Sequence, residues 1–221
     1  MDQPIIISKN ETPSKIISTL IETDSYDIFI ELSGKVAALT IRDLIGIKDI
    51  KSTKPSLVGK IIPELNKDSV VGEAARIMSH YRMRTLPVTD KGDIVGQISA
   101  KRIVELIRKH LVESKLQIIA SNIMTSEPIV IDGHKTLSAA RSIMKRRRID
   151  HLPVTDNGRL VGIITSSDIM KVMLPSERIG KKSVGIDNTE DRLSIEVSGL
   201  TNDDIVTANV EESLQVVCDR M

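Results

Sequence analysis

The 221-residue chain contains no tryptophan, and Tyr26, Phe29 and Tyr81 are its only aromatic side chains. That shortage excludes the aromatic stacking platforms on which single-stranded nucleic acids are held, and it leaves aliphatic side chains to build the core. Cys218 stands alone, so no intrachain disulfide can form and a reducing compartment is expected. An excess of charge is missing too. Lys plus Arg total 31 against 30 for Asp plus Glu, a net charge of +1, whereas a general polyanion binder shows a clear basic surplus. No apolar stretch approaches the length of a membrane span, and Met1-Asp2-Gln3-Pro4 lacks the cationic and apolar regions of a signal peptide. A cytoplasmic location without a membrane partner follows as the expectation. His80, His110, His134 and His151 are scattered, with no metal-binding helical spacing. Phosphate-loop, nucleophile-elbow and dinucleotide fingerprints are also missing. No metal, no required cofactor and no catalytic residue are expected.

What the chain does have is repetition. Residues 86–104 read LPVTDKGDIVGQISAKRIV, and residues 152–170 read LPVTDNGRLVGIITSSDIM. The two align without a gap, and internal similarity of this kind outranks single motifs. Each is preceded by apolar residues at helical spacing: Val71, Ala74, Ala75 and Met78 in one, Leu137, Ala140, Ile143 and Met144 in the other. Opening strands are predicted at 63–66 and 128–131, with helices entered at Ser69 and Thr136. Strands at 86–88 and 152–154 follow. Lys91-Gly92 and Asn157-Gly158 supply tight turns, because glycine accepts a positive φ. Strands at 94–98 and 160–164 then lead into helices starting at Ser99 and Thr165. Each unit is β-α-β-β-α.

A weaker copy opens the chain, with a strand at 5–7, a helix at 13–21, a strand at 27–32, a turn at Ser33-Gly34 and a strand at 36–40. A fourth begins at 204–208 and 211–221 and stops inside its first helix, leaving Leu214 and Val217 without the hairpin that should cover them. A longer parent protein, or a fragment of one, is the expectation. The divisions are 1–56, 57–116 and 117–174 for repeats one to three, a connector at 175–202, and the start of repeat four at 203–221. Residues 48–57 also act as a connector, and 192–197 is a strand candidate within the longer one.

The unit resembles the CBS domain family, named for cystathionine-β-synthase. It has Leu-Pro-Val-x-Asp, a glycine turn, Val-Gly-x-Ile-Ser/Thr and a closing helix. The resemblance implies an α/β fold of tandem β-α-β-β-α CBS repeats paired into pseudo-twofold modules of the Bateman type, repeat one with two and three with four. It further implies a regulatory, non-enzymatic module whose clefts bind an adenosine nucleotide (AMP, ADP or ATP) or S-adenosylmethionine. Homodimers and an unidentified regulated protein are the implied partners. The alternative is an assembly or docking protein with vestigial clefts that engages a protein or a nucleic acid.

The family's ligand motif, a hydroxyl followed three residues later by Asp, matches Thr165/Asp168 and Thr40/Asp43. A hydroxyl and free N–H groups at a helix start suit a phosphate oxygen, and a carboxylate can accept from both ribose hydroxyls. The same spacing is a capping box, so cap and ligand site both remain open. Gly162, matched by Ala37, is read as leaving room for a flat base. In repeat two, Ser99 keeps the hydroxyl but Arg102 replaces the carboxylate, and a guanidinium cannot accept a hydrogen bond. That cleft is expected to be degenerate. By resemblance, His151 and Arg84, just before the Leu-Pro motifs, are phosphate candidates. Ile129 and Val130 would offer backbone groups to an adenine edge. Lys145–Arg148 is either a solvated helix end or a phosphate contact, and Cys218 reads as a small core residue.

Overall fold

The computed structural model describes residues 3–32, 34–47, 53–114, 116–174 and 189–220. Repeat one comprises β1 (Ile6–Ile7), α1 (Pro13–Glu22), β2 (Asp27–Leu32), β3 (Lys35–Thr40) and α2 (Ile41–Ile45), with β4 (Lys60–Ile61) added from the connector. Repeat two comprises β5 (Leu65–Asn66), α3 (Val71–Tyr81), β6 (Thr85–Asp90), β7 (Asp93–Ser99) and α4 (Ala100–Ser114). Repeat three comprises β8 (Ile131–Asp132), α5 (Leu137–Arg147), β9 (His151–Asp156), β10 (Arg159–Thr165) and α6 (Ser166–Met173). Beyond them lie α7 (Thr189–Arg192) and α8 (Leu214–Arg220). The sheets run β1-β2-β3-β4, β5-β6-β7 and β10-β9-β8. In every repeat the first strand is parallel, and the third antiparallel, to the central one.

The hairpins close as their sequences predict. Lys91 and Gly92 have φ of 53° and 93°, and Asn157 and Gly158 have 48° and 76°, the paired positive values that suit right-twisted strands. Of the turn at Ser33-Gly34, only Gly34 is among the described residues. Several elements differ from their predicted extents. The opening strands are two residues each, β5 and β8, the latter starting at Ile131 and ending at Asp132, one residue past its predicted end. The cap of α3 is Val70 rather than Ser69, with no side-chain hydrogen bond, while Thr136 caps α5 through Ala139 N–H at 3.2 Å. Residues 204–208 form no strand, and the last helix starts at Leu214. The strand expected at 192–197 is the end of α7, an isolated bridge from Glu196 to Thr136 and the start of a 3-10 turn at Val197–Gly199. Connector residues 48–52 and 175–188 lie outside the described residues.

Two cores organise the repeats. In the smaller, Phe29 and Ala38 of repeat one pack with Leu86, Val88, Ala74 and Met78 of repeat two, so these repeats meet through sheet faces. The larger joins Ile16, Ile17, Leu44 and Ile45 of repeat one to Leu137, Met144, Ile169 and Met170 of repeat three, with α2 against α5 and α6. Arg141, buried, donates to the carbonyls of Ile45 (2.6 Å) and Ile47 (2.7 Å) and thereby ties α5 to the exit of α2. An amphipathic helix announces an apolar face but not what that face meets, so the sequence reading did not include this helix-mediated contact. The connector belongs to the same core: Leu193 and Val197 are fully buried. Among the described residues no helix is long and apolar enough to cross a membrane.

Candidate functional site

Strand register gathers the motif residues. Thr165 pairs with His151, Thr40 with Asp27 and Ser99 with Thr85, so each helix-start hydroxyl faces the residue just before the Leu-Pro position or its counterpart. The N–H of the first helical residue donates to the same place each time: Ile41 to Tyr26 O, Ala100 to Arg84 O and Ser166 to Asp150 O, at 3.1, 2.7 and 2.9 Å. Three copies of one corner are thus built from the same hydrogen bond.

At two corners the hydroxyl–carboxylate pair is closed as a capping box. Asp168 Oδ2 accepts from Thr165 N–H (2.9 Å) and from its hydroxyl (2.7 Å), and Asp168 N–H returns a bond to Thr165 Oγ1. Among the described residues the second carboxylate oxygen faces only the exposed Lys171 ammonium, at 3.6 Å. Thr40 and Asp43 repeat the box, but there Lys60 from β4 ion-pairs with the remaining oxygen. In repeat two Ser99 Oγ accepts from Arg102 N–H, and the guanidinium turns to Glu105.

Arg84 and His151 meet. A guanidinium nitrogen lies 3.3 Å from His151 Nε2, and the guanidinium carbon stands 4.3 Å from the centre of the Tyr26 ring. Among the described residues Arg84 makes no ion pair. Desolvation, reinforced by the Arg84 charge, draws the His151 imidazole below its ordinary pKa. Ile129 and Val130 precede β8, which runs parallel to β9. They therefore lie at the end of the sheet that carries His151, and both are exposed.

The sequence reading missed the network beneath. Arg42 ion-pairs with Asp150 and donates to it from Nε (2.9 Å) and to the Tyr26 hydroxyl (2.9 Å). Arg82 reaches Arg148 O at 2.8 Å. Asp27 Oδ2 accepts from the N–H groups of Arg84 (2.8 Å) and Thr85 (2.6 Å) and from the Thr85 hydroxyl (3.0 Å), while Oδ1 is buried without a partner. The signal available was alignment: Tyr26-Asp27 occupies the place of Arg84-Thr85 and Asp150-His151. In the basic run, Lys145 reaches Gly46 O at 3.2 Å and Arg148 takes the left-handed cap conformation that ends α5. The run therefore terminates a helix.

Burial pushes the Asp27 carboxyl up to about 6 against the pull of those three donors. A carboxyl raised in the folded state binds a proton that the unfolded chain releases, so its contribution to stability grows as pH falls through that value. Between about pH 7 and about pH 5 the native protein is expected to gain about 1.4 kcal/mol relative to Asp27→Asn. Urea unfolding of both proteins at both pH values reads the difference. Parallel behaviour would show an unperturbed carboxyl.

One expectation is corrected. The space beside Gly162 is not open for a base, because the chain itself fills it: a Cβ there would stand 2.2 Å from Thr201 Cγ2 and 2.5 Å from Asn202 O. The open space lies in repeat two, where a cavity of about 700 Å³ is bounded by β5, β7 with its terminal Ser99, the start of α3 and the α4 face carrying Arg102. A smaller one, about 310 Å³, separates the hairpins of repeats one and two. A third, about 350 Å³, lies beside Gly133 and Val161. None of the three is lined by Thr165, Asp168, Thr40 or Asp43. Among the described residues no cluster of His, Cys, Asp and Glu is arranged to hold a metal ion.

Comparison with known proteins agrees with this architecture. The chain is 27% identical over 157 residues to the uncharacterised protein MJ1232 of Methanocaldococcus jannaschii and spans about half of its length (51%). It is 29% identical over 123 residues to the inosine-5'-monophosphate dehydrogenase of Korarchaeum cryptofilum, of which the match covers 24%. The crystal structure of protein MJ1225 from M. jannaschii superposes with a TM-score of 0.85 at 17% identity, over all of this chain and 86% of that one. The CBS domain model matches residues 47–109 and 120–175, more than half of the sequence. With three β-α-β-β-α units described, the chain belongs to the CBS domain family.

Proposed function

We propose that the protein is a regulatory module that senses an adenine nucleotide at the corner formed by Thr165, Asp168, His151 and Arg84. The observation that carries this reading is Arg84. Its guanidinium faces an imidazole and a phenol ring instead of an acid, and that imidazole, His151, is the strand partner of Thr165, whose capping carboxylate Asp168 has its second oxygen toward the exposed Lys171. A phosphate oxygen between Arg84 and His151 would relieve the first arrangement. The free oxygen of Asp168 would accept from a ribose hydroxyl, and Ile129 and Val130 would present backbone groups to the base edge. The Thr40/Asp43 corner is sealed by Lys60, and at the Ser99/Arg102 corner a guanidinium stands in place of the motif carboxylate and is paired with Glu105, which favours repeat three as the site. Because Asp168 is engaged in the protein's own cap, and Arg84 and His151 come from different repeats, a ligand held between them would favour one arrangement of the repeats over another. A partner protein then reads that shift through differential affinity.

Titration calorimetry of the whole chain with ATP, ADP, AMP and S-adenosylmethionine tests the reading. At least one is expected to bind, and Asp168→Ala to weaken it by about tenfold or more. Asp168→Asn, which retains a cap acceptor, separates loss of ligand from loss of the helix start. Silence from all four ligands would overturn the proposal.

A further inference from the structure

Two helix starts in this protein are paired, in the same register, with an extended segment from elsewhere in the chain. At α5, Leu137 N–H donates to Ile195 O (3.0 Å), Val197 N–H to Lys135 O (2.8 Å) and Ser198 N–H to Gly133 O (3.0 Å). At α8, Leu214 N–H donates to Ile118 O (2.6 Å), Ala120 N–H to Glu212 O (2.8 Å) and Ser121 N–H to Val210 O (2.9 Å). The antiparallel bridges Thr136–Glu196 and Ile119–Ser213 sit at matching places. Both segments then curl into a 3-10 turn, Val197–Gly199 and Ala120–Asn122. The covering strand also fills a hollow: at α5, Leu193 and Val197 are fully buried in the repeat-three core.

The start of α3 presents the same surface uncovered. The turn that leads into it matches the one before α5: Lys67 N–H to Thr89 O and Gly133 N–H to Thr155 O are both 2.9 Å, and Ser69 N–H to Asn66 O (2.9 Å) corresponds to Lys135 N–H to Asp132 O (3.0 Å). Nevertheless Val70 and Val71 are 69% and 40% exposed, α3 has no side-chain cap, and the 700 Å³ cavity opens where Leu193 and Val197 sit in repeat three. Repeat one cannot offer the equivalent donor, since its helix begins with Pro13.

We infer that the start of α3 and the adjoining cavity form a docking groove for an extended segment of a partner polypeptide, received by backbone pairing of the kind made at α5 and α8. The segment's chemistry follows from its counterpart in repeat three. Two aliphatic side chains four residues apart, as Leu193 and Val197 are, would enter the cavity. The residue before the second is set by charge. In repeat three it is Glu196, 3.3 Å from His134 Nδ1, whereas Asp68 occupies the place of His134 in repeat two, so a lysine or arginine fits there. Main-chain bonds supply affinity and the two anchors specificity, as in other strand additions.

The probe is a fluorescent decapeptide with the sequence of Asp191–Leu200 carrying Glu196→Lys, titrated into the whole protein and followed by anisotropy. Saturable one-to-one binding is expected, weaker for the peptide that keeps Glu196. Val71→Pro removes the N–H that Leu137 donates in repeat three. Proline suits this first helical position, and Val70 already has the extended backbone (φ −73°, ψ 147°) that a residue before proline adopts. This variant, and Leu106→Glu in the cavity wall, should each weaken binding by about tenfold. Asp168→Ala should leave it unchanged, which separates this groove from the nucleotide corner. Absence of saturable binding, or equal binding by Val71→Pro and Leu106→Glu, would overturn the inference; the latter would mean that the peptide displaces the native connector on repeat three.

Discussion

Arg42→Met is expected to destabilise the protein by about 3 kcal/mol, read as a lower urea midpoint at unchanged slope. Arg42 and Asp150 are both 10% exposed at the side chain, so removing the cation strands a desolvated carboxylate. The donors that remain are neutral hydroxyls, that of Ser166, 3.3 Å from Asp150 Oδ1, and that of Tyr26, too little to replace a two-pronged guanidinium. The substitution also removes the guanidinium bond to the Tyr26 hydroxyl, whose ionisation burial opposes first and Asp150 second. Because the pair joins α2 of repeat one to the residue before β9 of repeat three, the loss falls on the contact between repeats. The decisive comparison is the double variant Arg42→Met with Asp150→Leu. Replacing both members of a buried pair with apolar groups is often close to neutral, so the double variant should recover most of the loss. If the single variant costs less than about 1 kcal/mol, the pair is behaving as a surface ion pair and does not hold the repeats together.

The residues of that pair lie 108 positions apart, which explains why the sequence did not reveal them. The repeat itself was legible because its signals are local. The two glycine turns dictate the hairpins, the 3.6-residue spacing of Leu137, Ala140 and Met144 dictates a helix with one apolar face, and Thr165-x-x-Asp168 marks a helix start. Cap and ligand motif share one spacing, and the structure shows the cap formed, with one carboxylate oxygen left over at Asp168 and none at Asp43. Lys60 accounts for that difference, and nothing near Asp43 in the sequence points to Lys60. The partner of each apolar face was equally hidden, since Ile16 and Leu44 would satisfy any apolar neighbour and find Met144 and Met170 only in three dimensions. Connector residues 193–197 alternate as a strand does, but that pattern does not name the partner, and Leu193 and Val197 complete the repeat-three core.

Gly162 is where local reading and packing diverge most, and its replacement carries the other large expected effect. Gly162→Val should detach the strand that ends the connector. A side chain there meets a methyl group that can rotate away, but also the backbone of Asn202, which cannot yield without breaking the two bonds it shares with Ile163, Ile163 N–H to Asn202 O (2.9 Å) and Asn202 N–H to Ile163 O (3.0 Å). Losing those bonds and part of the burial of Val197 and Leu200 should cost about 3 kcal/mol. Hydrogen exchange should report it locally, with the Ile163 and Asn202 amides losing protection while those of β6 and β7 keep theirs. Gly199→Ala is the control: nothing lies within 4 Å of a Cβ at that position, so its stability should stay within about 0.5 kcal/mol of the native protein. Protection retained at Ile163 in Gly162→Val would mean that the connector gives way elsewhere. The glycine is therefore fixed by the protein's own strand and not by a ligand. Repeats two and three share one backbone plan, and the covering segment that Gly162 admits is what fills in repeat three the hollow left open in repeat two.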